Sequence, residues 1–215
     1  MITENELNNF KNCADNFPKI WDGKECIFEL KKEGYQWKQM EWGGFWFEFK
    51  CKRFLKEFNS FYIPGDKFGN VEFDFKGKFN WDIKNHSINA GNKIILNDKN
   101  AIFESIKKYQ YHGFLISECN FKYDNTGEFK IWHDKLKGKK SKYQIKSEEL
   151  KKKSRMRKLS AKLTKITLYV LSENSLKDLT VHKQGKNSND NKRKPKYMLD
   201  TNKLENIYYK VIYAG

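Results

Sequence analysis

The residues of this sequence whose types and spacing could do chemistry are Asp74, Asp82 and Lys84, inside the stretch Val71 to His86, VEFDFKGKFNWDIKNH. With Gly77, Lys78 and Phe79 as a three-residue turn, a common hairpin connection when Gly is present, two antiparallel strands set Asp74 opposite Asp82. Period-two alternation then places Glu72, Asp74, Lys76, Asn80, Asp82, Lys84 and His86 on one face, and Phe73, Phe75, Trp81 and Ile83 on the other. A two-residue turn at Gly77 and Lys78 would send Asp74 and Asp82 to opposite faces and mix Phe with Asp on both. The clean segregation selects the three-residue loop, with one face a core wall and the other an acidic site containing a lysine.

Two carboxylates on one face repel and raise one another's pKa. A divalent cation removes that cost, and Mg²⁺ takes hard oxygen ligands: one or two carboxylates with water and substrate phosphate oxygens. Asp74 and Asp82 could each give an oxygen, and the backbone carbonyl of Ile83, between Asp82 and Lys84, a third. Such a metal would polarise a scissile phosphate and supply hydroxide. Lys84 would orient or deprotonate the attacking water and offset charge in the transition state. The bland alternative is a salt-bridged polar hairpin face open to water.

The elements that must position these residues follow from periodicity and punctuation. Residues 1 to 60 read as mainly helical. Thr3 could cap a first helix with Leu7, Phe10 and Cys13 or Ala14 along one side, and a second helix runs from about Lys24 to Lys32. A third spans about Gln36 to Phe58, with Gly43-Gly44 as a possible interruption and with Glu41 and Glu48, seven apart, on a shared face. Ile63-Pro64-Gly65-Asp66 reads as a turn before the hairpin. Lys93 to Leu96 would serve as a third strand, Asn97 or Asp98 could cap a helix from Asn100 to about Tyr111, and Phe114 to Cys119 is a buried strand. Helix, three strands, helix and strand form an α/β layer arrangement, a mixed central sheet flanked by helices.

From Lys135 the chain turns basic. A helix capped by Ser147 is expected to carry Lys151, Lys152, Lys153, Arg155, Arg157 and Lys158, and His182 to Lys196 (HKQGKNSNDNKRKPK) reads as an exposed basic loop. Lys165 to Leu171 and Asn206 to Ala214 read as strands. Residues 1–134 are thus a helical region with the α/β core, and 135–215 a basic C-terminal lobe, more readily one integrated domain than two. Across 215 residues, 43 Lys and Arg against 27 Asp and Glu leave a formal charge of +16, the footprint of a polyanionic partner. Lysine-rich, Asn-rich composition from an AT-rich genome and an anionic membrane surface are the competing readings of that charge.

No apolar run approaches the roughly 18 residues needed to span a bilayer. The N-terminus lacks a secretory pattern, and Cys13, Cys26, Cys51 and Cys119 form no CxxC pair; no membrane and a cytoplasmic, reduced protein of a bacterium or archaeon are expected. His86 could touch a phosphate or merely end a strand; His112, His133 and His182 form no cluster in sequence.

Asp74, seven intervening residues, then Asp82-Ile83-Lys84 resembles the PD-(D/E)XK nuclease signature, and the order of elements from 36 to 120 is similar to that superfamily's αβββαβ core. Phe73 stands where the motif's proline would be. The resemblance implies Mg²⁺-dependent phosphodiester hydrolysis, with Asp74 and Asp82 as metal ligands and Lys84 as the catalytic lysine. It also implies a glutamate from the preceding helix, a position that Glu48 or Glu41 matches. Size and added basic segments look most like a type II restriction endonuclease cutting double-stranded DNA as a homodimer, beside a cognate DNA methyltransferase. Lys151, Lys152, Lys153, Arg155, Arg157, Lys183 and Lys186 would then hold phosphates. Gln184, Asn187, Asn189, Asn191 and Arg193 would read base edges. The alternatives are a basic module that grips DNA or RNA without cutting, and a toxin nuclease acting on RNA.

Overall fold

The structure, a computed structural model, describes residues 1–58, 63–65, 73–140, 142–151, 155–185 and 191–215. Three helices come first. α1 (Glu4–Asp15) starts in a capping box, Thr3 Oγ1 accepting from the Glu6 N–H while Glu6 accepts from the Thr3 N–H, and buries Phe10, Cys13 and Ala14. A short strand, β1 (Ile20–Asp22), leads into α2 (Gly23–Lys32), whose cap is Asp22. α3 (Trp42–Phe58) begins later than the periodicity suggests, so Gly43 and Gly44 sit in its first turn and Glu41 precedes it.

The hairpin follows. β3 (Phe75–Lys76) pairs with β4 (Asn80–Ser87) in the register Phe75↔Trp81 and Lys76↔Asn80, which leaves Gly77, Lys78 and Phe79 in the turn, the expected three-residue loop. Val71 and Glu72 lie outside the described residues. β2 (Ile63–Pro64) pairs with β3 on its other side, so Ile63–Pro64, read as a turn, is an edge strand, the place in a sheet that tolerates proline.

β5 (Lys93–Asp98) exists but does not join this sheet. It pairs with β9 (Lys196–Asp200), which pairs with β8 (Thr180–His182), and these three form a separate small sheet. From β5 the chain runs through α4 (Lys99–Tyr109), capped by Asp98 and closed by Gln110 at φ +66°, into β6 (His112–Tyr123). His112 and Gly113, which fall between the expected helix and the expected strand, open this strand. β6 lies parallel to β4, as a helical crossover permits.

α5 (Glu128–Lys137) and α6 (Lys142–Glu149) come next, then β7 (Lys158–Leu171). The expected helix capped by Ser147 and carrying 151 to 158 is not what the described residues show: Ser147 is inside α6, which ends at Glu149, and Lys158 already belongs to β7. β7 pairs with β6 along nearly its whole length, and its far edge takes both β1 and β10 (Tyr208–Ala214). The C-terminal residues are therefore not an appended lobe, since they supply strands to both sheets. The two ends of the expected basic loop, His182 and Lys196, are paired strand residues of β8 and β9, and residues 186–190 lie outside the described residues.

The main sheet, in the order β1-β7-β6-β4-β3-β2, is covered on both faces. Trp81, Ile83, Leu115, Leu168 and Val170 meet α1, α2 and α3 in one core. Phe114, Ile116, Tyr169 and Leu171 meet α4 and the small sheet in another, through Ile94, Leu96, Ile102, Ile106, Tyr197 and Leu199. Among the described residues no helix is long and apolar enough to cross a membrane, and all four cysteines are buried and free.

Trp81 anchors the first core, with its ring stacked on Phe75 and Phe79 and 4.7 Å from Phe10. Gly113, its neighbour across the β4–β6 ladder, is where the ring lies against backbone: a Cβ there would run into the indole. Gly113→Ala is expected to cost about 1–3 kcal/mol, read by urea unfolding; a variant as stable as the parent would show that the indole has room to move.

Candidate active site

Asp74 and Asp82 are brought together by the hairpin, and strand alternation turns Asp82 and Lys84 toward the layer made by α4 and the small sheet. Asp82 and Lys84 sit opposite Phe114 and Ile116, two residues of that second core. The acid face is thus roofed rather than open: Asp74 is 6% and Asp82 3% exposed.

The ladder also breaks at Asp74. Its N–H donates to the carbonyl of Trp81, the residue already opposite Phe75, so the two strands diverge a residue early. The Ile83 N–H, which the register would direct to the Phe73 carbonyl, instead donates to Asp74 Oδ2 at 2.6 Å. This swap of a side chain for a carbonyl pulls the Asp74 carboxylate against β4. Lys84 Nζ then lies 3.8 Å from Asp74 Oδ2 and 3.7 Å from Asp82 Oδ1.

The two carboxyls are shifted in opposite directions. Burial pushes the Asp74 carboxyl up to about 7; Lys84 opposes this, and the charges of Asp82 and Glu48 add to it. Burial acts on Asp82 too, but Lys84 with hydrogen bonds from His112 and Asn97 outweighs it and holds that carboxyl down at about 2. Burial would lower the Lys84 ammonium, yet Asp82, Asp74 and Glu48 together raise it, so Lys84 is a cation at neutral pH.

Of the two glutamates named from sequence, Glu48 is the one whose charge acts on Asp74 and Lys84. On α3 it accepts from the Tyr35 hydroxyl at 2.8 Å and pairs with Lys52 at 2.7 Å. Glu41 instead pairs with Lys158 at 2.6 Å. The Ile83 carbonyl lies on β4 between Asp82 and Lys84. His86 bonds the Gly91 carbonyl at 2.7 Å, a turn contact.

The basic residues divide. Arg157, expected on a DNA-facing surface, is 6% exposed: it precedes β7 and its backbone carbonyl accepts from Asp124, so the guanidinium is turned inward toward Asp134 and Glu41. Lys151, at φ +48°, and Arg155 are exposed. In the β8–β9 connection Lys183, Asn191 and Arg193 are exposed and Gln184 is half-buried, with the Arg193 N–H closing onto the Gly185 carbonyl. Lys152, Lys153, Lys186, Asn187 and Asn189 lie outside the described residues.

Several residues at this site have no signal in a single sequence. His112, 1% exposed, bonds Asp82 Oδ2 through Nε2 at 2.9 Å and Ser105 Oγ through Nδ1 at 2.9 Å. Asn97 comes from β5, and Lys196 from β9. Burial with the charges of Lys84 and Arg193 lowers the Lys196 ammonium, against Asp82 and Asp98. Lys196 was visible only as the last basic residue before Tyr197, since its approach to Asp82 is a matter of which sheets stack.

Hard oxygen donors from two buried carboxylates, with like charges near enough to raise Asp74, are a set that a small divalent cation suits. Among the described residues no group of three or more His, Cys, Asp or Glu is spaced to hold a metal. Cation binding at Asp74 and Asp82 would accordingly require water and substrate oxygens to complete the shell.

A carboxyl raised to about 7 is protonated in the folded chain where the unfolded chain has already lost its proton. Its contribution to stability is therefore full below about pH 4 and is lost as pH rises through 7. Asp74→Asn, without added metal, is expected to be more stable than the parent at pH 8 by about 2–4 kcal/mol, with the difference vanishing below pH 4. Thermal unfolding across that range checks it, and a pH-independent difference would show Asp74 to be an ordinary carboxylate. Comparison with family models, with curated proteins and with solved structures gives no match to this chain.

Proposed function

We propose that this protein is an Mg²⁺-dependent endonuclease of the PD-(D/E)XK kind, a type II restriction endonuclease acting on double-stranded DNA. The observation that carries this reading is the hairpin bulge that seats Asp74 against β4, with Lys84 Nζ within 3.8 Å of both carboxylates. Support comes from the arrangement around it: α3, the meander β2-β3-β4, then a crossover through α4 to a parallel β6. The formal charge of +16 suits a polyanion.

Asp74 and Asp82 would hold the Mg²⁺, with the Ile83 carbonyl able to add an oxygen. When bound, the ion supplies an activated water and polarises the scissile phosphate. Lys84, cationic between the carboxylates, offsets charge developing on the phosphate rather than removing a proton. Glu48, held by Tyr35 and Lys52, orients water on the Asp74 side. Lys196 and Arg193 bring positive charge to the same face for the DNA backbone. A homodimer whose twofold axis matches a palindromic site, and a partner methyltransferase, belong to the same reading.

Incubation of the purified protein with unmodified double-stranded DNA is expected to give discrete fragments with Mg²⁺ and none with chelator. Asp82→Ala and Lys84→Ala should each lower cleavage at least about a hundredfold while DNA still shifts in a gel. Lys196→Glu should weaken DNA binding and flatten its salt dependence by about one phosphate contact. Undiminished cleavage by both Asp82→Ala and Lys84→Ala would refute the assignment. Mg²⁺-independent binding without cleavage would establish a non-catalytic DNA module instead, and cleavage confined to RNA a toxin nuclease.

A further inference from the structure

The candidate carboxylate Asp82 is the end of a buried chain that starts in the crossover helix. Ser105 on α4 is 5% exposed, His112 at the start of β6 is 1% exposed, and Asp82 on β4 is 3% exposed. Both links in the chain are 2.9 Å, from Ser105 Oγ to His112 Nδ1 and from His112 Nε2 to Asp82 Oδ2. A carboxylate can only accept, so Nε2 carries the hydrogen, and in the neutral ring Nδ1 accepts the Ser105 hydroxyl. The ring is also packed on Phe114, with centroids 4.8 Å apart.

This geometry fixes more than a hydrogen bond. Oδ2 is tied to His112, which leaves Oδ1 as the oxygen turned toward Lys84 at 3.7 Å. Partners one bond removed from a metal ligand set its orientation, and losing one typically weakens metal binding about 10–100-fold.

We propose that Ser105 and His112 are positioning residues that fix the Asp82 carboxylate so that Oδ1 is presented to the catalytic cation. The inference rests on the nuclease reading above, and extends it from the hairpin to α4. Neither residue touches substrate; both act through Asp82.

The test is an Mg²⁺ titration of the full chain, read both as thermal stabilisation and as DNA cleavage. Ser105→Ala should shift the Mg²⁺ midpoint upward about tenfold in both readouts, while cleavage at saturating Mg²⁺ falls by less than that. Ser105→Thr, which restores the hydroxyl, should recover the midpoint. His112→Phe, which keeps a ring but makes neither link, should shift the midpoint at least as far as Ser105→Ala. A merely structural role would lower the melting temperature in chelator and leave the midpoint alone, and that result overturns the proposal. A parent protein whose melting temperature does not respond to Mg²⁺ would overturn the metal reading itself, and this proposal with it.

Discussion

The fold is governed by the burial of β4 on both faces, because that strand carries apolar side chains to one side and charged ones to the other. Trp81 and Ile83 enter the core between the sheet and the three N-terminal helices. Asp82 and Lys84 enter the second layer, where an unpaired charge is costly. The surroundings answer that cost locally. Lys84 lies within reach of both carboxylates, His112 and Asn97 bond Asp82, and the Ile83 N–H bonds Asp74. What remains uncompensated is concentrated on Asp74, whose carboxyl is raised to about 7. A buried group pushed that far by desolvation and like charges is the pattern that functional sites share.

The two layers divide the labour. The helical layer supplies Glu48, with Tyr35 and Lys52 holding it, and packs the aromatic wall behind the hairpin. The opposite layer supplies Asn97, Ser105 and Lys196 from β5, α4 and β9. Several separate elements therefore converge on the β4 acid face, and none of them could be shifted by a residue without losing a hydrogen bond or a charge partner.

The hairpin was legible in the sequence because a one-residue slip would have mixed Phe with Asp on both faces, so the pattern admitted a single register. The break at Asp74 was not, because it depends on a side chain replacing a carbonyl in the ladder. β2 is hidden by its length and its proline, and β5 reads as a strand without its sheet, since a short apolar run carries no information about its partner. Arg157 looked like its basic neighbours; only the strand that follows it turns the guanidinium inward. His112 reads as a helix stop next to Gly113, and its bond to Asp82 spans 30 positions. Periodicity within a segment could be read directly, whereas contacts made by stacking one sheet on another could not.

β9 enters the small sheet between β5 and β8, and it brings Lys196 to a site whose acids lie more than a hundred positions earlier in the chain. β7, which pairs with β6 along nearly its whole length, also comes from the last third. During synthesis, the hairpin with both its acids leaves the ribosome well before the strands that wall it in. The enclosed acid face consequently cannot exist on an unfinished chain, and its set of charge partners is complete only once residues 196–200 have been added and docked.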